Sequence, residues 1–125
     1  MSLIVLVEDN PHNARLASRL LRKAGHEVIV AQDGEGGLTA ILGSQPDLIL
    51  VDLGLPDIDG QTVVAVLRQQ NHLNQVPILI FTAYPEQTAH EMAQAYRCDG
   101  VILKPIDTRY FVGQVDQFLG VRRFE

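Results

Sequence analysis

The chain has a single cysteine, Cys98, among its 125 residues. An internal disulfide is excluded, and the composition fits a reducing compartment, so a cytoplasmic location is expected. No apolar run approaches the ~18 residues that a membrane-spanning helix needs. Met1 to Val7 is too short, and lacks the basic start, for a secretory signal. Basic runs are missing too: Lys and Arg never exceed a pair such as Arg122-Arg123, on a chain of net charge −5. That balance disfavours direct nucleic-acid binding. Neither an internal repeat nor a low-complexity linker divides the chain, so residues 1–125 are expected to form one domain with a normal core.

What is present is a set of five short apolar runs: Leu3-Ile4-Val5-Leu6-Val7, Val28-Ile29-Val30-Ala31, Leu48-Ile49-Leu50-Val51, Ile78-Leu79-Ile80-Phe81 and Val101-Ile102-Leu103. They do not alternate with polar residues, which is the pattern of strands buried on both faces. Helical patterns lie between them. Asn10-Pro11 reads as a cap and first turn, followed by Ala14, Ala17, Leu20, Leu21 and Ala24 on one side, with Gly25 to end the helix. Glu35 to Leu42 is a weaker pattern with Leu38, Ile41 and Leu42 facing in. Its Gly36-Gly37 costs roughly 1 kcal/mol per glycine, so a short or mobile helix is expected. Thr62 to Gln70 presents Val63, Val64 and Leu67. Pro85-Glu86 opens a helix with Ala89, Met92, Ala93 and Tyr96, and Asp107 caps a last one with Phe111, Val115 and Phe118.

Five buried strands alternating with five amphipathic helices predict an α/β fold. The expected architecture is a five-stranded parallel sheet covered on both faces, in the flavodoxin-like order 2-1-3-4-5. In such sheets ligands bind beyond the carboxyl ends of the strands. The residues there form a set. The first strand ends in Glu8 and Asp9, the third in Asp52, the fourth in Thr82 and the fifth in Lys104. A carboxylate at the end of a buried strand carries a desolvation cost that something must offset. Three clustered carboxylates need a cation, and hard oxygen donors suit Mg²⁺ rather than zinc. A carboxylate is also a nucleophile able to form an aspartyl-phosphate, and phosphoryl transfer needs positive charge on the transferring oxygens. The pattern therefore points to a metal-dependent phosphoacceptor aspartate, with Lys104 and Thr82 as phosphoryl contacts.

Glu8-Asp9-Asn10, the Asp52-Leu-Gly-Leu-Pro-Asp-Ile-Asp-Gly60 loop, Phe81-Thr82-Ala83 and Lys104-Pro105 together resemble a response-regulator receiver domain of two-component signalling (CheY-like) over essentially the whole chain. The resemblance implies that Asp52 takes a phosphoryl group from a phosphohistidine of a sensor histidine kinase or a histidine phosphotransfer protein. It implies direct Mg²⁺ ligation by Asp9, Asp52 and the Gly54 carbonyl, with Glu8 acting largely through water and Mn²⁺ able to substitute. The face where helix one begins would dock the phosphodonor. The Lys104–Pro105 bond would be cis. A downstream protein or a homodimer is a further possible partner. Such a chain assists only transfer onto its own Asp52 and later hydrolysis, and so is not an enzyme with turnover on a separate substrate.

Three positions depart from the family pattern. Val101 stands where an aromatic switch residue is usual, so either signalling relies on movement of loops and the fourth helix, or the chain is a phosphate shuttle that needs little switching. Gly54 and Tyr84 flank the phosphoryl site; glycine orients no water and Tyr84 could cover the group, which predicts a long phosphoryl lifetime. Arg97 replaces a customary glycine, and a changed turn is expected there. The alternatives are a receiver-like interaction domain that signals without phosphorylation, and an aspartate-nucleophile phosphatase, which lacks its second acid because Gly54 occupies that place. A flavin or nucleotide module would need a Gly/Ser/Thr-rich loop where Glu8-Asp9 stand. His12, His26, His72 and His90 read as surface residues, Cys98 as a small buried hydrophobe, and Asp57 and Asp59 as turn and cap residues beside Gly60. Val66, Tyr110 and Val112 are candidate exposed apolar residues for a partner surface. The chain is either a complete single-domain regulator or a piece of a longer one.

Overall fold

The computed structural model describes residues 2–120, so the Arg122-Arg123 pair lies outside the described residues. Among those residues the order is β1 (Leu3–Val7), α1 (Pro11–Lys23), β2 (Glu27–Ala31), α2 (Gly34–Leu42), β3 (Leu48–Asp52), α3 (Gly60–Arg68), β4 (Ile78–Thr82), α4 (Glu86–Ala95), β5 (Gly100–Leu103) and α5 (Phe111–Leu119). A 3₁₀ turn at Asn71–Leu73, not anticipated from the sequence, follows α3. Every ladder is parallel and the order is β2-β1-β3-β4-β5, as expected.

The non-alternating runs are explained by two-sided burial. Ile4, Leu6, Leu48, Leu50, Leu79 and Phe81 face α1 and α5, meeting Ala17, Leu21, Phe111 and Val115. Their strand neighbours Val5, Val7, Ile49, Val51 and Ile78 face the other way, against Ile41, Val63, Val64 and Leu67 of α2 and α3. Ile80 and Leu53 meet Ala93 of α4. Fully burying each such side chain contributes about 1.5–3 kcal/mol. This packing fixes the strand ends that carry the polar residues.

Helix ends show where local reading holds and where it fails. Asn10 caps α1 as expected, its Oδ1 accepting from the Asn13 N–H at 3.0 Å. The glycines of α2 are packing residues: a Cβ on Gly37 would lie 2.7 Å from a Val7 methyl. Leu42, expected on the inner face of α2, is instead exposed, because the buried side of the helix runs through Gly34, Gly37 and Ile41. Helix α3 starts at Gly60, two residues earlier than expected, with Asp59 at the cap through its carbonyl rather than its side chain. A Cβ on Gly60 would sit 2.5 Å from the Asp52 carbonyl, so only glycine lets α3 begin against the end of β3. Asp107 caps the turn before α5, accepting from the Arg109 N–H at 3.0 Å; the helix itself begins at Phe111.

Arg97 corrects the sequence reading. No changed turn replaces the customary glycine, and Arg97 itself takes φ 60°. The left-handed conformation costs about 1–2 kcal/mol. It lets the Cys98 N–H reach the Ala93 carbonyl at 2.7 Å, and the Arg97 carbonyl accepts from Arg68 Nε at 3.0 Å. His26 is the second correction. Its side chain is only 13% exposed, with Nε2 2.8 Å from Asp116 Oδ1 on α5. The other three histidines are exposed, as read. Val66 and Val112 are half-buried, and Tyr110 is exposed.

Asp57 is more than a turn residue. Its Oδ1 and Oδ2 accept from the Gly34 and Glu35 N–H groups at 2.7 and 2.9 Å, closing the start of α2 from the β3–α3 loop. Those N–H groups hold its carboxyl below the ordinary Asp value of 3.8. A depressed folded pKa adds stability above the unfolded value, and that stability disappears as pH falls through the folded one. Asp57→Ala is therefore expected to melt below the unaltered chain at neutral pH. The gap should narrow as pH drops past 3.8. Melting curves at several pH values check this, and a gap independent of pH would sink it.

Candidate functional site

The chain leaves β1 toward β2 on one side, then returns through α2 to β3 on the other. Loops after β1 and β3 consequently diverge and open a crevice at the carboxyl edge of the sheet. Glu8 and Asp9 follow β1 on one wall, and Asp52 closes β3 on the other. Thr82 ends β4 and Lys104 follows β5. All five sequence-predicted side chains therefore stand on one edge.

Lys104 is the centre of the charge arrangement. Its Nζ lies 2.6 Å from Glu8 Oε1 and 3.3 Å from Asp52 Oδ2. It also stands 4.7 Å from the centre of the Phe81 ring, a cation–π partner the sequence reading did not single out. The Lys104 N–H donates to the Thr82 carbonyl at 2.8 Å, so the ladder between β4 and β5 aims the side chain. The peptide bond to Pro105 is cis. Asp52 Oδ1 accepts from the Gly54 N–H at 3.0 Å. Glu8 Oε2 accepts from the Asn10 N–H at 3.0 Å, which ties the first acidic residue to the start of α1. The Thr82 hydroxyl oxygen accepts from the Tyr84 N–H at 3.1 Å and keeps its own proton for another acceptor.

The two buried carboxylates are driven apart in acidity. Glu8 is fully buried, and that burial pushes its carboxyl up to about 7 against the pull of Lys104 and the Asn10 N–H. Burial also pushes Asp52 up, but the Gly54 N–H, the neighbouring Glu8 and the Lys104 charge outweigh it and hold Asp52 below the ordinary value. Asp52 is thus the anion, which is the state a nucleophile requires. Asp9 is exposed, leaving the crevice open to solvent on its side.

The residues fit a divalent cation. One carboxylate oxygen from each of Glu8, Asp9 and Asp52 lies within 4.8 Å of the others. The donors are all hard oxygens and one of the three is exposed, the pattern suited to an ion that keeps several waters. Lys104 neutralises part of the cluster. Asp57 and Asp59 stay outside the cluster, Asp57 being committed to α2. Val101 is half-buried against Leu53, Ile80 and Ala93, while Tyr84 is exposed beside Thr82. Cys98 packs as a small hydrophobe, and burial pushes its thiol up to about 12, far from a reactive thiolate.

Residues 4–116 match the family model described as the response regulator receiver domain. The polar-differentiation response regulator DivK of Brucella anthropi is 31% identical over 117 residues, covering 94% of this chain and 95% of that protein. The chemotaxis response regulator CheY4 of Vibrio cholerae superposes with a TM-score of 0.89 at 24% identity, covering 94% of this chain and 98% of that one. The signal receiver domain of a signal transduction histidine kinase from Syntrophus aciditrophicus superposes with a TM-score of 0.86 at 25% identity, covering all of this chain and 96% of that one. Among the described residues no helix is long and apolar enough to cross a membrane.

Proposed function

Because the chain belongs to the response regulator receiver domains of two-component signalling, we propose that Asp52 is its phosphoacceptor, loaded from a phosphohistidine of a sensor kinase or phosphotransfer protein. The observation that carries this reading is the placement of Asp52 at the crevice, with Lys104 Nζ 3.3 Å away and carboxylate oxygens of Glu8 and Asp9 within 4.8 Å. An Asp52 oxygen forms the new bond to phosphorus as the bond from phosphorus to the donor imidazole nitrogen breaks, and the electron pair leaves with the imidazole. Lys104 turns from Asp52 to a phosphoryl oxygen, keeping Glu8 as its second partner. The Thr82 O–H donates to another phosphoryl oxygen. Glu8, Asp9, Asp52 and the Gly54 carbonyl would hold Mg²⁺, or Mn²⁺ in its place. When bound, the cation supplies charge neutralisation for the phosphoryl oxygens. Charging the site changes the forces on Thr82, Lys104 and the loops that bear them, and with them the partners the domain binds. The domain acts on its own side chain, so it is a signalling phosphoacceptor rather than a turnover enzyme.

The test is phosphoryl transfer from a panel of phosphohistidine proteins and from acetyl phosphate, with and without Mg²⁺. Label is expected on the chain with Mg²⁺ or Mn²⁺ and at background level in EDTA. Equal labelling in EDTA would remove the metal from the reading, and no labelling from any donor would overturn the phosphoacceptor assignment.

A further inference from the structure

Three groups from different strands surround the Lys104 ammonium. Glu8 after β1 and Asp52 at the end of β3 supply carboxylates; the third is the Phe81 ring of β4, whose centre lies 4.7 Å from Nζ. The sheet register explains how a core residue comes to touch a cation of the crevice. Phe81 pairs with Asp52 across the β3–β4 ladder and with Ile102 across the β4–β5 ladder. Laterally paired residues of a parallel sheet send their side chains to the same face. The Asp52 carboxylate and the Phe81 ring therefore stand side by side on the face covered by α1 and α5. Lys104, two residues beyond Ile102, reaches back across the ring toward Asp52. The ring is held in turn. Phe81 is fully buried and packs on Phe111, the first residue of α5, with ring centres 6.2 Å apart and planes tilted by 35°.

A neutral partner suits what Lys104 has to do. On the phosphoacceptor reading its ammonium must leave Asp52 Oδ2 for a phosphoryl oxygen while staying in the crevice. A further carboxylate in the place of the ring would hold the ammonium but repel the incoming oxygens. An aromatic face attracts a cation through its quadrupole and carries no net charge. The attraction grows as the cation loses its water, and the Lys104 side chain is only 14% exposed. We propose that Phe81 is a positioning residue for phosphoryl transfer, its ring face holding the Lys104 ammonium where the phosphoryl oxygens arrive. The inference rests on the phosphoacceptor reading of Asp52.

The experiment changes the electrons of the ring and keeps its shape. Phe81→trifluorophenylalanine, with fluorine at the ring edge, draws density from the face that meets Lys104, and Phe81→fluorophenylalanine is the intermediate. Both are made in the full chain, with melting and circular dichroism to establish that the fold is kept. Label uptake with Mg²⁺ is timed, per folded molecule, from whichever of acetyl phosphate and the phosphohistidine proteins labels the unaltered chain. The trifluorinated chain is expected to load about three- to tenfold more slowly, with the monofluorinated chain between the two. A ring that only fills the core predicts no loss, because fluorine is little larger than hydrogen and no more polar in its contacts. Equal rates across the series overturn the inference. A second measurement needs no variant. Lys23 and Lys104 are the only lysines of the chain, and Lys23 is exposed. With isotope-labelled lysine, the methylene beside the Lys104 ammonium is expected to resonate upfield of its Lys23 counterpart, shifted by the ring current. Coincident signals overturn the inference even where a fluorinated chain fails to fold. Failure of acetyl phosphate and every phosphohistidine protein to label the unaltered chain removes the phosphoacceptor reading itself, and this inference with it.

Discussion

Asp52→Asn is expected to reduce phosphoryl labelling to background with every donor, while the protein stays folded. The replacement nearly conserves shape. An amide oxygen can still accept from the Gly54 N–H, which lies 3.0 Å from Asp52 Oδ1. Lys104 keeps Glu8 at 2.6 Å, so no buried cation is left alone. What disappears is the anionic oxygen that, on the proposed reading, forms the bond to phosphorus, and a neutral amide is no substitute nucleophile. The same change removes one of the three carboxylates that draw a cation, so Mg²⁺ protection against unfolding should weaken along with labelling. Glu8 is the informative companion. It is fully buried, so a phosphodonor cannot reach its oxygens even though it touches Lys104. Asp9 is exposed and at the rim. Label that persists in Asp52→Asn, mapped by peptide analysis to Glu8 or Asp9, would show that the nucleophile has been misassigned.

The parts of this site that were legible in the sequence share one property: each sits at the end of an apolar run. Glu8 and Asp9, Asp52, Thr82 and Lys104 can be assigned to one edge as soon as the runs are taken as parallel strands, because parallel strands bring like ends together. No contact between them has to be guessed. Elements that needed a specific long-range partner were not legible. Asp57 looks like any turn residue until α2 presents two N–H groups to it across 23 positions of sequence. His26 sits 90 positions from Asp116, and nothing local distinguishes it from the three exposed histidines. The left-handed Arg97 failed for a related reason. Local sterics favour glycine at that place, and the compensating bond from Arg68 comes from another helix.

The largest stability loss is expected from Arg68→Ala, far from the site. Arg68 ends α3, and its guanidinium serves four acceptors that no neighbour in sequence supplies. Nε donates to the Arg97 carbonyl at 3.0 Å, Nη1 to the Leu73 and Val76 carbonyls at 3.1 and 3.2 Å, and Nη2 to Asp99 Oδ2 at 2.9 Å. The side chain is only 6% exposed. Asp99 Oδ2 in turn accepts from the Ile78 N–H at 2.8 Å. One planar group thus joins the end of α3, the 3₁₀ turn, the start of β4 and the turn before β5. Truncation takes the cation from a largely buried carboxylate and the donor from several carbonyls together, and breaking a buried pair from one side costs about 3–5 kcal/mol. That is a large fraction of the ~5–15 kcal/mol of a whole domain. Arg68→Lys should recover only part of the loss, because an ammonium lacks the fork that reaches all four acceptors at once. Urea titration of the three proteins measures this, and a cost for Arg68→Ala within about 0.5 kcal/mol, the usual range for a surface change, would contradict it. The clamp lies at the amino ends of β4 and β5, opposite the crevice. Label taken up per folded molecule should therefore be unchanged in Arg68→Lys, which separates the device that holds the sheet from the residues that use its other edge.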